Sequence, residues 1–369
     1  MDLLPGGQTP LDELGWDPGW ADAFAAQAAA GRLPARVTVA RRDAWAVATI
    51  TGDRDAVIAG RLRHEALGPA ALPAVGDWVA ITLPDGDGPA VMRAVLPRRS
   101  AFRRGDEDGH VADQQVLAAN IDVAFVVTGL DADFNVRRLE RYLAVAWAGG
   151  VRPVLVLNKA DVALDTDAML SAAVAVAPGA AVVAISALTG AGVADLARDH
   201  LVPGRTAVVL GSSGAGKSTL VNTLLGHDRQ RTAPVRADDA RGRHTTTHRE
   251  LIRLPGGALL VDTPGIRSLG VAGAADGIGV AFADLGDLAV ACRFADCRHE
   301  AEPDCEVQAA LADGRLDEAR YASHRKLTKE ATHVARSSDR LLAEAERKRW
   351  RAISQASSRH MDAKYGKDR

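Results

Sequence analysis

Nine consecutive residues, Gly211, Ser212, Ser213, Gly214, Ala215, Gly216, Lys217, Ser218 and Thr219, have the types and spacing to hold a phosphate chain. Glycines let successive backbone N–H groups converge on one anion, and a helix starting at Lys217 would add the positive end of its dipole. Lys217 would reach the β- and γ-phosphates, and the Ser218 hydroxyl would complete a Mg²⁺ shell. A glycine-rich turn that binds nothing could share these letters. The context separates the two: a strand-like run, Thr206–Leu210, precedes the loop, and Leu220, Val221, Leu224 and Leu225 follow at helical spacing. The segment therefore reads as a nucleoside triphosphate site.

A second run, Val154–Leu157, ends in Asn158, Lys159, Ala160 and Asp161. A carboxylate there accepts from both N1–H and the 2-amino group of guanine. Adenine offers neither donor and would strand Asp161 unpaired. Lys159 would lay its stem on the base, and Asn158 would tie this loop to the phosphate loop. Alone, the tetrapeptide is also an ordinary strand-end turn; beside a phosphate loop it selects guanine. A third run, Ala181–Ile185, ends in Ser186 and Ala187, whose backbone would support the guanine carbonyl.

Downstream of the phosphate loop, Arg241–Thr247 is basic and rich in hydroxyls, which suits a switch loop whose Thr binds Mg²⁺, with Thr245 and Thr246 as candidates. An exposed polar loop is the bland alternative. In Asp262-Thr-Pro-Gly265, Asp262 would hold Mg²⁺ through water and the Gly265 N–H would sense the γ-phosphate. Ile266 then stands where many GTPases carry the Gln that orients the attacking water, so unaided hydrolysis is expected to be slow. His244 is the candidate substitute, with rRNA contact and plain packing as its alternatives.

All three cysteines fall in one window with a histidine: Cys292, Cys297, His299 and Cys305, spaced C-x4-C-x-H-x5-C. Charged neighbours (Arg293, Asp296, Arg298, Glu300, Glu302) argue against a buried core, and the donor set suits a closed, structural, tetrahedral Zn²⁺ site rather than disulfides.

The elements that must position these groups come in an unusual order. Strand-like runs at Val123–Thr128, Val154–Leu157, Ala181–Ile185, Ala207–Leu210 and Ala258–Val261 alternate with helical stretches such as Val136–Ala148 and Val193–His200. That predicts a parallel sheet with crossover helices. The guanine motifs precede the phosphate loop instead of following it. Because ligands sit at the carboxyl ends of parallel strands, a circularly permuted chain can build the same site. Upstream, short runs at Ala35–Ala40, Trp45–Ile50, Ala56–Ala59, Gly76–Ile81 and Ala90–Val95 predict a small closed barrel, OB-type or SH3-like on pattern alone. Residues Arg104–Asp113 read as linker.

Net charge is only −2, with 45 basic and 47 acidic side chains. Yet Leu33–Arg104 carries 11 basic against 7 acidic residues and Arg315–Arg369 carries 15 against 8, so the two flanks are basic and the rest acidic. This asymmetry points to nucleic-acid contact through the flanks, although the tail alone could be a solvated helix. No apolar run is long enough to span a bilayer and the start lacks a signal peptide's pattern, so no membrane contact and a cytoplasmic location are expected.

Together the motifs resemble the RsgA family of circularly permuted, small-ribosomal-subunit-dependent GTPases. The resemblance runs from about Leu33 to Arg325 and rests on Gly76-Asp-Trp-Val, Asn158–Asp161, Gly211–Thr219, Gly242–Thr247, Asp262–Gly265 and the cysteine spacing. It implies an α/β protein with a permuted P-loop GTPase core, an N-terminal OB-type barrel and a C-terminal zinc-binding helical domain. The expected division is an extension at 1–32, a barrel at 33–104, a GTPase domain at 113–275 and a zinc domain with basic tail at 280–369. It further implies a monomer bearing one structural Zn²⁺ and using Mg²⁺ with GTP. The implied work is late maturation of the small subunit on its rRNA, with hydrolysis of GTP to GDP. The rival expectation is an RNA-binding assembly factor for which GTP is only a structural ligand. An ATP-using kinase is disfavoured by Asn158–Asp161.

Overall fold

The computed structural model describes residues 9–41, 44–66, 68–104, 115–227, 249–262 and 275–336. His244, Thr245, Thr246, Gly265, Ile266, the expected linker apart from Arg104, which ends a strand, and the tail beyond 336 lie outside the described residues.

Five strands close the barrel: β1 (Leu33–Ala40), β2 (Trp45–Thr49), β3 (Gly52–Ile58), β4 (Trp78–Thr82) and β5 (Ala90–Val95). Hydrogen bonding runs β1–β2–β3–β5–β4 and back to β1, with β3 and β5 parallel. That circuit is the OB arrangement and removes the SH3-like alternative. Alternate residues Ala35, Val37, Val47, Val79 and Ile81 point inward and are fully buried. β3 begins four residues before the expected Ala56, because pairing with β2 recruits the polar stretch Gly52–Asp55.

β6 (Ala101–Arg104) and β7 (Gln115–Ala119) form a separate antiparallel ribbon outside the barrel circuit. The core sheet follows: β8 (Val123–Gly129), β9 (Arg152–Asn158), β10 (Ala181–Ala184), β11 (Thr206–Gly211), β12 (Arg249–Arg253) and β13 (Leu259–Asp262). Its order is β10-β9-β8-β11-β13-β12, parallel except for β12, which runs antiparallel to β13. The other edge of β12 pairs with β1, Val39 opposite Glu250, so barrel and core share one continuous sheet. The phosphate-loop strand β11 thus lies between strands that both precede and follow it in the chain.

α2 (Gly60–Glu65) follows β3 in the barrel, and the crossover helices α3 (Val136–Ala148) and α5 (Val193–His200) coincide with the expected bounds. Asn135 caps α3 by accepting from the Arg138 N–H at 3.1 Å, and Leu139, Tyr142, Leu143 and Ala146 put one apolar face on the sheet. α4 (Thr166–Ala175) and α6 (Lys217–Leu225) complete the core. Beyond it come α7 (Ala275–Ala281), α8 (Ala283–Val290), α9 (Glu306–Ala312) and a helix, α10, over residues 318–336. α7 packs along α3. Among the described residues no helix is long and apolar enough to cross a membrane.

Residues 9–32 of the N-terminal extension, opaque in sequence, form a strap across the barrel–core junction. Asp17 caps α1 (Pro18–Ala29), and the Trp16 ring meets Trp78 of β4 at 4.7 Å. Arg99 pairs with Asp17 while its guanidinium lies 4.0 Å from the Trp20 ring. Beneath the strap Arg36 of β1 is buried. It donates to the carbonyls of Leu14, Gly76 (3.3 Å) and Asn120 (3.2 Å) and to the Thr206 hydroxyl (2.7 Å), the first residue of β11.

Candidate functional site: a guanine-nucleotide cradle and a metal knuckle

The carboxyl ends of β9, β8 and β11 meet at one rim, as the parallel order requires. Asn158 closes β9 and is buried there. Its Nδ2 donates to the Ala215 carbonyl in the phosphate loop at 2.9 Å, and its Oδ1 accepts from the Ala187 N–H at 2.8 Å. One amide therefore joins the base loop, the phosphate loop and the loop after β10. Gly216 leaves room for it: a Cβ there would fall 2.1 Å from Asn158 Nδ2, and its φ of +90° belongs to glycine in any case. The third glycine of the loop, Gly216, is thus fixed by the side chain of Asn158.

Lys159 takes a left-handed backbone, φ +68°, and the Ala160 N–H bonds to the Ile185 carbonyl at 3.0 Å. Asp161 stands exposed at the rim. Ser186 is buried and its hydroxyl accepts from the Thr189 N–H at 3.2 Å, folding the turn that carries Ala187. The Thr223 hydroxyl of α6 donates to the Ala187 carbonyl at 2.8 Å, a further tie between base side and phosphate side.

Lys217 donates to the carbonyls of Gly211 (2.9 Å) and Ser212, so its ammonium lies folded over its own loop. Ser218 is the second residue of α6, and Asp262 ends β13, the strand beside β11. A hydroxyl on the first turn of α6 and a carboxylate at the end of β13 are hard oxygens of the kind Mg²⁺ takes. Thr219 follows on the first turn of α6, and Ser213 and Gly214 cross the exposed top of the loop.

Two further acids were missed in the sequence. Asp131 and Asp133 lie in the loop between β8 and α3. Lys159 Nζ bonds to Asp131 Oδ2 at 2.6 Å, and the Ser212 hydroxyl donates to Asp133. Partial burial opposes ionisation of Asp131, but the Lys159 ammonium and the Asp133 N–H outweigh it and hold the carboxyl below the usual range. The available signal was a D-x-D at the end of the strand lying between the two motif-bearing strands.

In the C-terminal region, one ligand atom each from Cys292, Cys297, His299 and Cys305 lies within 4.8 Å of all the others. Cys292 Sγ is 3.9 Å from Cys305 Sγ and 3.6 Å from His299 Nδ1, and Cys305 Sγ is 3.5 Å from that nitrogen. Tetrahedral Zn²⁺ with ordinary bond lengths needs edges of about 3.8 Å between sulfurs and about 3.6 Å from sulfur to nitrogen. The cluster fits zinc. The His299 carbonyl accepts from Gln308 Nε2 of α9 at 2.6 Å and from the Tyr321 hydroxyl of α10 at 2.8 Å, so two helices orient the loop. The Glu302 carboxylate collects the N–H groups of Arg298 and Glu300, which lowers its pKa to about 2. Loss of hydration, then the neighbouring Cys305 and Cys292 thiols, push Cys297 up to about 11; a divalent cation would reverse that pressure.

Residues 95–272 match the family described as RsgA GTPase. A protein from Opitutus terrae named small ribosomal subunit biogenesis GTPase RsgA is 50% identical over 357 residues, covering 94% of this chain and 96% of that one. Its namesake from Streptomyces coelicolor is 43% identical over 359 residues, 96% of each chain. Among solved structures, YjeQ from Thermotoga maritima matches with a TM-score of 0.60 at 26% identity, over 82% of this chain and 99% of that chain. YloQ, described as a circularly permuted GTPase, matches in fold with a TM-score of 0.57 at 21% identity, over 82% and 96%.

Proposed function

This chain belongs to the RsgA GTPase family and is a GTP hydrolase, and from that premise we propose that it acts in late maturation of the small (30S) ribosomal subunit, hydrolysing GTP to GDP and phosphate when docked on rRNA. The ribosomal part of the reading draws on the names its relatives carry. The guanine part is carried by one observation, the Asn158 amide bonded at once to Ala215 of the phosphate loop and to Ala187.

In this proposal Asp161 reads the guanine edge, with Lys159 beneath the base and Ser186 and Ala187 beside its carbonyl. Gly211–Thr219 cradle the phosphates, and Lys217 swings from its own loop to the β- and γ-oxygens. Ser218 and Asp262 hold Mg²⁺, which when bound neutralises charge developing on the phosphates. Thr245 or Thr246 of the switch loop binds Mg²⁺, the Gly265 N–H senses the γ-phosphate, and His244 is the candidate catalytic side chain. We divide the chain as extension 1–32, barrel 33–104, permuted core 113–275, and zinc domain with tail 280–369. The basic flanks dock on rRNA, and the protein works in the cytoplasm as a monomer.

GTP turnover measured with small subunits, with large subunits and in buffer tests the reading. Stimulation by orders of magnitude with small subunits alone is expected. Equal stimulation by large subunits would remove the small-subunit assignment, and binding without multiple turnover would favour GTP as a structural ligand.

A further inference from the structure

The loop after β8 is built to touch both halves of the nucleotide site. β8 lies between β9, which carries the base reader, and β11, which carries the phosphate loop. The Leu130 N–H bonds to the Asn158 carbonyl at 2.7 Å, anchoring the loop to the end of β9. The next side chain, Asp131, divides its two oxygens: Oδ2 takes the Lys159 ammonium at 2.6 Å and Oδ1 takes the Asp133 N–H at 3.0 Å. Asp133 accepts from the Ser212 hydroxyl on one oxygen and pairs with Arg138 at 2.8 Å on the other. A continuous chain of contacts therefore runs from Lys159 through Asp131 and Asp133 to Ser212.

The backbone makes room for this chain. Gly129 ends β8, and a Cβ there would lie 2.7 Å from Asp131 Oδ1. A larger residue at 129 would displace the carboxylate that holds Lys159. The ion pair also answers a physical need. A lysine side chain has four rotatable bonds, and a stem meant to support a planar base is useful only if it lies flat before the base arrives. Fixing its ammonium at Asp131 does that.

We propose that Asp131 and Asp133 are positioning residues for GTP binding, Asp131 by fixing the Lys159 stem in the base pocket and Asp133 by restraining Ser212 in the phosphate loop. The inference rests on the reading of Asn158–Asp161 as the guanine site. Both acids act through another residue, Lys159 or Ser212. Their contribution is uniform to ground and transition states, so its loss falls on Kd and KM and not on kcat.

Fluorescence titration of the full-length, zinc-replete protein with GDP and GTP provides the test. Asp131→Asn keeps the side-chain shape at a site one-third exposed, so the fold is expected to stand. This variant should bind both nucleotides about five- to tenfold more weakly, raise KM by the same factor and retain kcat at saturating GTP. Asp131→Glu should recover part of the loss. In a Lys159→Ala background Asp131→Asn should cost nothing further, and Ser212→Ala combined with Asp133→Ala should lose no more than either alone. Wild-type affinity in Asp131→Asn, or the same loss with Lys159 already removed, would overturn the proposal. Asp161→Asn is the control for the premise: a switch toward xanthine nucleotides keeps the guanine reading even if the Asp131 effect is absent, and no switch removes the reading itself.

Discussion

Two buried arginines hold the GTPase core to its neighbours, and they do so in opposite ways. Arg36, at the barrel side, donates to three carbonyls and a hydroxyl. Arg320, at the zinc-domain side, donates to both oxygens of Asp284 at 2.7 and 2.6 Å, to Glu140 at 3.0 Å and to the Ala281 carbonyl at 3.0 Å. Burial pulls Arg36 down to about 10, against the fields of Asp122 and Asp77, so it stays cationic at neutral pH. Burial acts on Arg320 in the same direction, but Asp284 and Glu140 outweigh it and raise its pKa. The barrel junction is thus set by backbone geometry and tryptophan packing, and the zinc-domain junction by carboxylates and thiols. The first should resist chelators and lose to acid only its exposed Asp17–Arg99 pair, whereas the second should yield to both.

The largest test of that contrast is the metal. Cys297→Ser should release zinc and unfold the region around 291–312, because metal binding and folding are coupled in such sites, on the order of 10 kcal/mol in small zinc peptides. Barrel and core should keep their own melting transition. Full folding with no zinc by elemental analysis would refute the assignment.

Next come the arginines themselves. Arg36→Met should cost about 3–5 kcal/mol in denaturant unfolding, since it strands several buried acceptors at once. Arg320→Met should cost less, about 2–3 kcal/mol, because Arg137 still reaches Glu140 at 2.5 Å and Asp284 can rehydrate. Equal losses would mean that the kind of acceptor does not matter.

The smallest effect is acid sensitivity. His324 of α10 packs edge-on to Phe282 at 5.2 Å, and burial first, then His299 and Arg320, lower its pKa, with Asp284 opposing. The unfolded chain binds this proton more readily than the folded one. Its contribution to stability is therefore full above about pH 6.5 and declines as pH falls through the interval down to the folded pKa. Zinc thiolates protonate in the same direction. His324→Gln should flatten the acid limb of melting temperature for the C-terminal transition, and an unchanged limb would assign it to the ligands alone.

Such contrasts separate what the chain discloses from what it hides. Asn158–Asp161, Gly211–Thr219 and the cysteine window stood out in the sequence because each is a short continuous stretch, and the structure brings the first two into contact and gathers the four metal-ligating side chains of the third. The helices at 136–148 and 193–200 were equally plain, since their apolar faces repeat at the helical period. Asp131 was not, because an acidic residue in a loop acquires meaning only when β9 and β11 flank it.

The sequence by itself carried the expectations of local chemistry, which loops suit phosphate and guanine and which four residues could hold zinc, and it established that the order of motifs is permuted. Only the tertiary structure decided between OB and SH3-like closure, through the parallel pairing of β3 with β5. It alone joined barrel to core through β1 and β12, and gave the N-terminal strap its place. The physical reason is separation along the chain. Arg36 meets Thr206 across 170 positions, and no propensity or periodicity carries information over that distance; only the packed fold brings a cation and its acceptors together.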